Sequence, residues 1–186
     1  FGDGGMVVTN NEELYRRLRR LRFYGMEETY YSEEHGYNSR LDELHAGVLL
    51  KRLKHIDEYI ALRKKIAKTY DNSLKDIGLI LPKVAPHNEH VYHLYVCRHP
   101  ERDRIITELN KKGIRVGIHY KWPIHLMKAY QYLGYKEGDL PNTEKVANEI
   151  FSLPMYPSLT NDEQEIVIDS LHDTLSRFNS SHTCPR

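Results

Sequence analysis

Leu41, Leu44 and Val48, and then Leu49, Leu53, Ile56 and Ile60, recur at steps of three and four residues, which marks one apolar face of a long helix. The period carries from about 41 to about 70 and stops at Asp71-Asn72-Ser73. At about 1.5 Å per residue such a helix is roughly 45 Å long. That is more than one small domain needs, so the helix is expected to be a spine joining two lobes. Just ahead of it, Gly36 permits a tight turn, and Ser39 followed by Asp42 has the spacing of a capping box. Asn38 and Arg40 are therefore expected at the helix mouth. Free N–H groups and the positive end of the dipole favour an anion there, and an amide with a guanidinium suits phosphate or carboxylate. On physics alone the commoner reading is that Asn38 is a turn residue and Arg40 a solvated first-turn charge, since most caps bind nothing.

A chain of 186 residues makes one large domain or two small ones, and 28% charged with 40% hydrophobic residues is a globular composition. A formal net charge of +1 gives no general pull toward nucleic acid or membrane. The basic clusters Arg16-Arg17, Arg19-Arg20-Leu21-Arg22 and Arg63-Lys64-Lys65 lie in helical patterns with interspersed Glu and Asp, and read as solvated faces. Two cysteines, Cys97 in an apolar strand pattern and Cys184 in a polar tail, make no disulfide framework and fit a reducing cytoplasm. No apolar run approaches the roughly 18 residues of a membrane span. Phe1-Gly2-Asp3-Gly4-Gly5 resembles neither a signal peptide nor a start, so the chain is expected to begin in the middle of something.

In order, Met6-Val7-Val8-Thr9 reads as a short β run, and Asn10 with Glu13 as the cap of a first helix ending near Gly25. Residues 26–35 read as a polar loop whose adjacent Tyr30 and Tyr31 either line a pocket or pack. Strands are expected over 77–81, 90–98 and 115–119, with a helix from Pro100 to Gly113 between the last two, so a small α/β lobe follows. His119-Tyr120-Lys121-Trp122-Pro123-Ile124-His125 concentrates polar rings at a strand end. Either it walls a substrate pocket or its rings fill gaps under a sheet. His119 and His125 lack metal-ligand spacing, so no metal is expected. Thr160 with Glu163 is a further capping box opening a last helix, and 179–186 has the composition of a tail.

Taken together, several blocks resemble the sugar aminotransferases of the DegT/DnrJ/EryC1/StrS family, fold-type I pyridoxal-phosphate enzymes acting on nucleotide-linked keto sugars. They are Gly2-Asp3-Gly4-Gly5 with Val8-Thr9-Asn10, Leu21-Arg22 with Tyr24-Gly25, the run from Gly36 to Leu44, Ile118-His119-Tyr120, Pro123-Ile124-His125, Ala129-Tyr130 and Leu153-Pro154-Met155-Tyr156-Pro157. The resemblance runs to about residue 178. It implies the C-terminal half of such an enzyme, an α/β fold of one long inter-domain helix plus a small sheet with packed helices. In that scheme 1–40 is the remnant of the large cofactor domain, 41–73 the linking helix, 74–178 the small C-terminal domain and 179–186 a tail.

The resemblance further implies pyridoxal 5'-phosphate as cofactor, glutamate as amino donor, a homodimer and a cytoplasmic location. Asn38 matches the asparagine that reaches the partner subunit's cofactor phosphate, with Arg40 as a nearby anion contact. His119 and Tyr120 match a His-Tyr pair at the sugar site of 3-keto-6-deoxyhexose aminotransferases, and Tyr30 or Tyr31 would help close that site. The Schiff-base lysine would fall just upstream of Phe1, so no catalytic residue is expected within this chain, which by itself would not transaminate. Phe23 stands where the family more often has asparagine, at the loss of a polar group, and Lys121-Trp122 replaces the more usual proline. A histidine in place of the upstream lysine would instead imply a sugar dehydratase, and a degenerate half would imply a non-catalytic role.

Overall fold

The computed structural model describes residues 3–181. Phe1, Gly2, Cys184 and the end of the expected tail lie outside them; the tail's first residues close the last helix. The chain forms two compact units, divided between Ile56 and Asp57. Among the described residues no helix is long and apolar enough to cross a membrane.

The first unit contains α1 (Glu12–Leu21), a hairpin of β1 (Met26–Glu28) and β2 (Tyr31–Ser32), and α2 (Glu43–Leu53). The cap of α1 is Asn11 rather than Asn10: its Oδ1 accepts from the Leu14 amide at 3.0 Å, while Thr9 Oγ1 takes the Asn11 amide. Residues 26–35, expected as a loop, hold the hairpin instead. Arg20 ties α1 to it, donating to Glu34 and Glu27 at 3.2 Å each. The Met6–Thr9 run forms no strand; Met6, Val7 and Val8 are exposed, and a strand needs a ladder partner that these residues do not have among those described. Gly25 is the one buried residue among those described in this unit. The apolar side chains of α2 stay uncovered, Leu44 being 78% exposed and Leu50 64%.

The expected single long helix is two. Helix α2 stops at Lys54, and α3 (Ile56–Leu74) begins afresh after His55, whose amide turns back to the Arg52 carbonyl at 3.0 Å. The cause lies in the charges rather than the apolar period. Lys51 and Arg52 close α2, and Asp57 and Glu58 open α3, the signs that favour one dipole ending and another beginning. The Ser39–Asp42 box does not form either. Asp42 is the residue before α2 and makes no side-chain cap bond.

The second unit packs α3, α4 (Arg102–Lys111), α5 (Pro141–Glu149) and α6 (Asn161–Ser181) with an antiparallel pair of strands, β3 (Tyr95–Arg98) and β4 (Ile150–Leu153). This is the mixed helix-and-sheet architecture expected of the chain. Tyr70 and Leu74 of α3, Tyr95 and Cys97 of β3, Ile105 and Leu109 of α4, Phe151 of β4 and Leu171 of α6 are fully buried in one core. Each buried Leu, Ile or Phe side chain among them contributes about 1.5–3 kcal/mol by leaving water. Burial also pushes the Cys97 thiol up to about 12, an inert packed thiol. At α6 the capping box is present: the Glu163 amide donates to Thr160 Oγ1 at 3.2 Å, and the Thr160 amide to Glu163 Oε2 at 2.9 Å.

The expected strands are shorter than their patterns. β3 begins only at Tyr95, because Tyr92 adopts φ +50° and Arg63 takes the carbonyls of Tyr92 and His93 at 3.0 Å, away from any ladder. The expected strands over 77–81 and 115–119 reduce to isolated bridges, Ile80 with Arg98 and Gly117 with Ser152.

Candidate functional site

In the first unit the chain doubles back on itself at two glycines. Gly25 sits at φ +74°, and a Cβ there would fall onto the carbonyl oxygen of Glu34. A Cβ on Gly36 would land on the Gly25 amide. This close approach lets 37–39 run antiparallel beside 21–24. Tyr37 donates to the Leu21 carbonyl at 2.7 Å, Tyr24 to Tyr37 at 2.9 Å and Ser39 to Arg22 at 3.0 Å, with Phe23 and Asn38 as bridge partners. Those backbone bonds hold Asn38 extended, which is why the helix starts later and Asn38 does not stand at its mouth.

The structure does bring Asn38 and Arg40 together. Arg40 Nε donates to Asn38 Oδ1 at 3.2 Å, and its guanidinium lies over the rings of Phe23 at 5.3 Å and Tyr24 at 5.7 Å. Phe23 thus supplies a seat for the cation, worth about 0.5–1 kcal/mol at an exposed site. The bond occupies one of the two lone pairs of Asn38 Oδ1, and the Asn38 amide donors and the Arg40 terminal nitrogens have no acceptor among the described residues. The pair is an exposed cluster rich in donors, suited to an acceptor-only anion.

Tyr30 and Tyr31 stand at the hairpin tip, both exposed, and among the described residues no hydrogen bond or ring contact joins either to that pair. Tyr30 adopts φ +69°, which costs a residue with a Cβ about 1–2 kcal/mol. Strain of this kind gathers at ligand clamps.

In the second unit His119 Nδ1 lies 2.9 Å from Ser152 Oγ, and its ring meets that of Tyr120 edge-on at 5.9 Å. Tyr120 and Trp122 stand exposed and, with Ile124 and Val146, line an open, mostly apolar groove of about 420 Å³. His125 takes no part in this wall. It is buried, with Nε2 3.0 Å from Glu144 Oε1. Among the described residues no group of three or more His, Cys, Asp or Glu converges as a metal site would require.

Glu144 is a residue that the sequence patterns missed. Its carboxylate accepts from His125 and from the amides of Gly138 and Leu140, so it holds the turn ahead of α5. The bond from His125, then the Gly138 amide, holds its carboxyl below the usual range. The folded value being lower than the unfolded one, the contribution is complete above about pH 4.5 and is lost as pH falls through the folded value. Glu144→Gln is expected to lower the melting temperature by a few degrees at neutral pH and to flatten the acid limb of the stability curve. An unchanged acid limb would assign that limb to other carboxylates.

Comparison with known proteins accords with this architecture. The model of the DegT/DnrJ/EryC1/StrS aminotransferase family matches residues 1–172. A dTDP-3-amino-3,4,6-trideoxy-alpha-D-glucose transaminase of Micromonospora megalomicea subsp. nigra is 49% identical over 182 residues, covering 95% of this chain and 49% of that protein. A pleiotropic regulatory protein of Geobacillus stearothermophilus is 39% identical, over 96% of this chain and 49% of its own. In three dimensions the crystal structure of S. venezuelae DesV in complex with a ketimine intermediate superposes with a TM-score of 0.88 at 39% identity, covering 91% of this chain and 46% of that one. The chain belongs to the DegT/DnrJ/EryC1/StrS aminotransferase family. It spans about half the length of the curated relatives it matches.

Proposed function

We propose that the intact protein is a pyridoxal-phosphate-dependent aminotransferase that places an amine on a nucleotide-linked 3-keto-6-deoxyhexose, and that this chain is its C-terminal half. Glutamate as amino donor, a homodimer and a cytoplasmic location complete the reading. The observation that carries it is the Asn38–Arg40 donor pair seated on Phe23 and Tyr24. A phosphate dianion only accepts hydrogen bonds, and this pair offers the Asn38 amide N–H groups and the Arg40 terminal N–H groups as donors, so the residues fit the cofactor's phosphate. The uncovered apolar side chains of α2 support a further half or a second subunit packed against this unit.

In this reading Asn38 and Arg40 hold the phosphate and fix where the cofactor sits. When bound, the cofactor supplies the electron sink that the amino transfer needs. His119 and Tyr120 bond oxygens of the nucleotide sugar and orient it, and Tyr120 with Trp122 excludes water on one side. Tyr30 or Tyr31 closes over the ligand. The lysine that would bind the cofactor covalently is assigned outside this sequence, and the chain alone is expected to be inactive.

Full-length protein given the cofactor is expected to absorb near the visible edge and to lose that band with glutamate. His119→Gln is expected to keep the band while sugar turnover falls roughly 10- to 100-fold, the loss of one hydrogen bond to a charged group. A normal sugar rate in that variant would make His119 a packing residue. A second reading, a regulatory protein without catalysis, draws on the name of the Geobacillus relative. Full-length protein that stays colourless with added cofactor would favour it and overturn the enzyme.

A further inference from the structure

Ser152 occupies the middle of β4, and its backbone is held from two sides. It pairs with Val96 of β3, and its amide donates to the Gly117 carbonyl at 2.7 Å while the Gly117 amide returns to its carbonyl at 3.3 Å. Its Cα is fixed in place as a result. The residue is only 4% exposed, and among the described residues the hydroxyl has one partner, His119 Nδ1 at 2.9 Å. The imidazole is confined from the other side by Gly117, where a Cβ would come within 2.6 Å of His119 Cε1.

A hydroxyl brings a proton that must be placed. If the neutral ring carried its proton on Nδ1, the ring would donate to Oγ and the serine proton would be left without an acceptor. If the ring carries it on Nε2, the hydroxyl donates to the bare Nδ1 and both groups are satisfied. Stranding a buried donor weighs roughly 5- to 150-fold against the first arrangement.

We propose that Ser152 is the positioning residue of His119, fixing the neutral imidazole with its proton on Nε2. Ser152 and Gly117 thereby leave His119 Nε2, which has no partner among the described residues, as a hydrogen-bond donor at the exposed end of the ring. The ligand group it takes is an oxygen that accepts. Resting on the function proposed above, that oxygen belongs to the diphosphate of the nucleotide sugar, which has no proton to offer in return.

Solid-state nitrogen-15 spectra of full-length protein labelled on histidine, taken at about pH 8 where an ordinary imidazole is neutral, read the tautomer directly. The His119 resonances are assigned by their loss in His119→Gln. The expected result is a protonated Nε2 and a bare Nδ1 in the unaltered protein, a mixture in Ser152→Ala, and the original state in Ser152→Thr, which keeps the hydroxyl. A protonated Nδ1 in the unaltered protein overturns the proposal, whatever the variants do. Thymidine diphosphate is the ligand probe, and its affinity is expected to fall about tenfold in both His119→Gln and Ser152→Ala. The expected tautomer with unchanged affinity in both variants would keep the serine's hold on the ring but refute its use on the diphosphate, a failure of the functional reading rather than of the positioning.

Discussion

Alanine at Gly36 is expected to open the corner that carries Asn38. The new methyl group would occupy the space of the Gly25 amide nitrogen, and backbone cannot rotate away as a side chain can. Small-to-large changes in tight sites cost about 1–3 kcal/mol, and the upper end applies when the opposing atoms are main chain. The pairing of Tyr37 with Leu21, of Tyr24 with Tyr37 and of Ser39 with Arg22 would be lost together. Hydrogen exchange at the Tyr24, Tyr37 and Ser39 amides in the full-length protein should quicken by roughly 30-fold or more, the equivalent of about 2 kcal/mol. Gly134→Ala is the control. That glycine has φ +80° and open space around its missing Cβ, so only the dihedral cost of about 1–2 kcal/mol applies. Unaltered exchange in Gly36→Ala would mean that the two glycines do not meet as described.

Asn38→Ala in full-length protein is expected to weaken pyridoxal phosphate binding by roughly 10- to 150-fold, the 1.5–3 kcal/mol of a hydrogen bond to a charged group. Asn38 is exposed, so the melting temperature of the cofactor-free protein should hardly change. Phe23→Leu tests the seat beneath the guanidinium and should cost less, about two- to fivefold, since only the cation–π contribution of about 0.5–1 kcal/mol is removed. Titration of cofactor absorbance measures both. Unchanged affinity in Asn38→Ala would assign the phosphate to other residues.

These two corners show what the amino-acid order conveys and what it hides. The Thr160–Glu163 box was legible because its donor and acceptor lie three residues apart, within one turn of one helix. The Ser39–Asp42 pattern has similar spacing, yet the Tyr37 and Ser39 amides bond to Leu21 and Arg22, and this distant pairing outcompetes the local cap. Arg63 stops β3 from 29 residues away, and Ser152 meets His119 across 33 residues; no short window contains either relation. The break between α2 and α3 was readable, from the charges at Lys51, Arg52, Asp57 and Glu58, but the apolar period ran through it. At the site, the adjacency of Asn38 and Arg40 was foreseeable. The stacking of Arg40 on Phe23 was not, because a ring in place of an amide reads in one dimension only as a missing polar group.

Among the described residues the first unit buries only Gly25, so little internal packing fixes its form. The proposed phosphate donors ride on that unit, so whatever orders it also sharpens their grip. Reciprocity then requires the converse: vitamin uptake should tighten assembly of the complete molecule by the same factor that assembly tightens uptake.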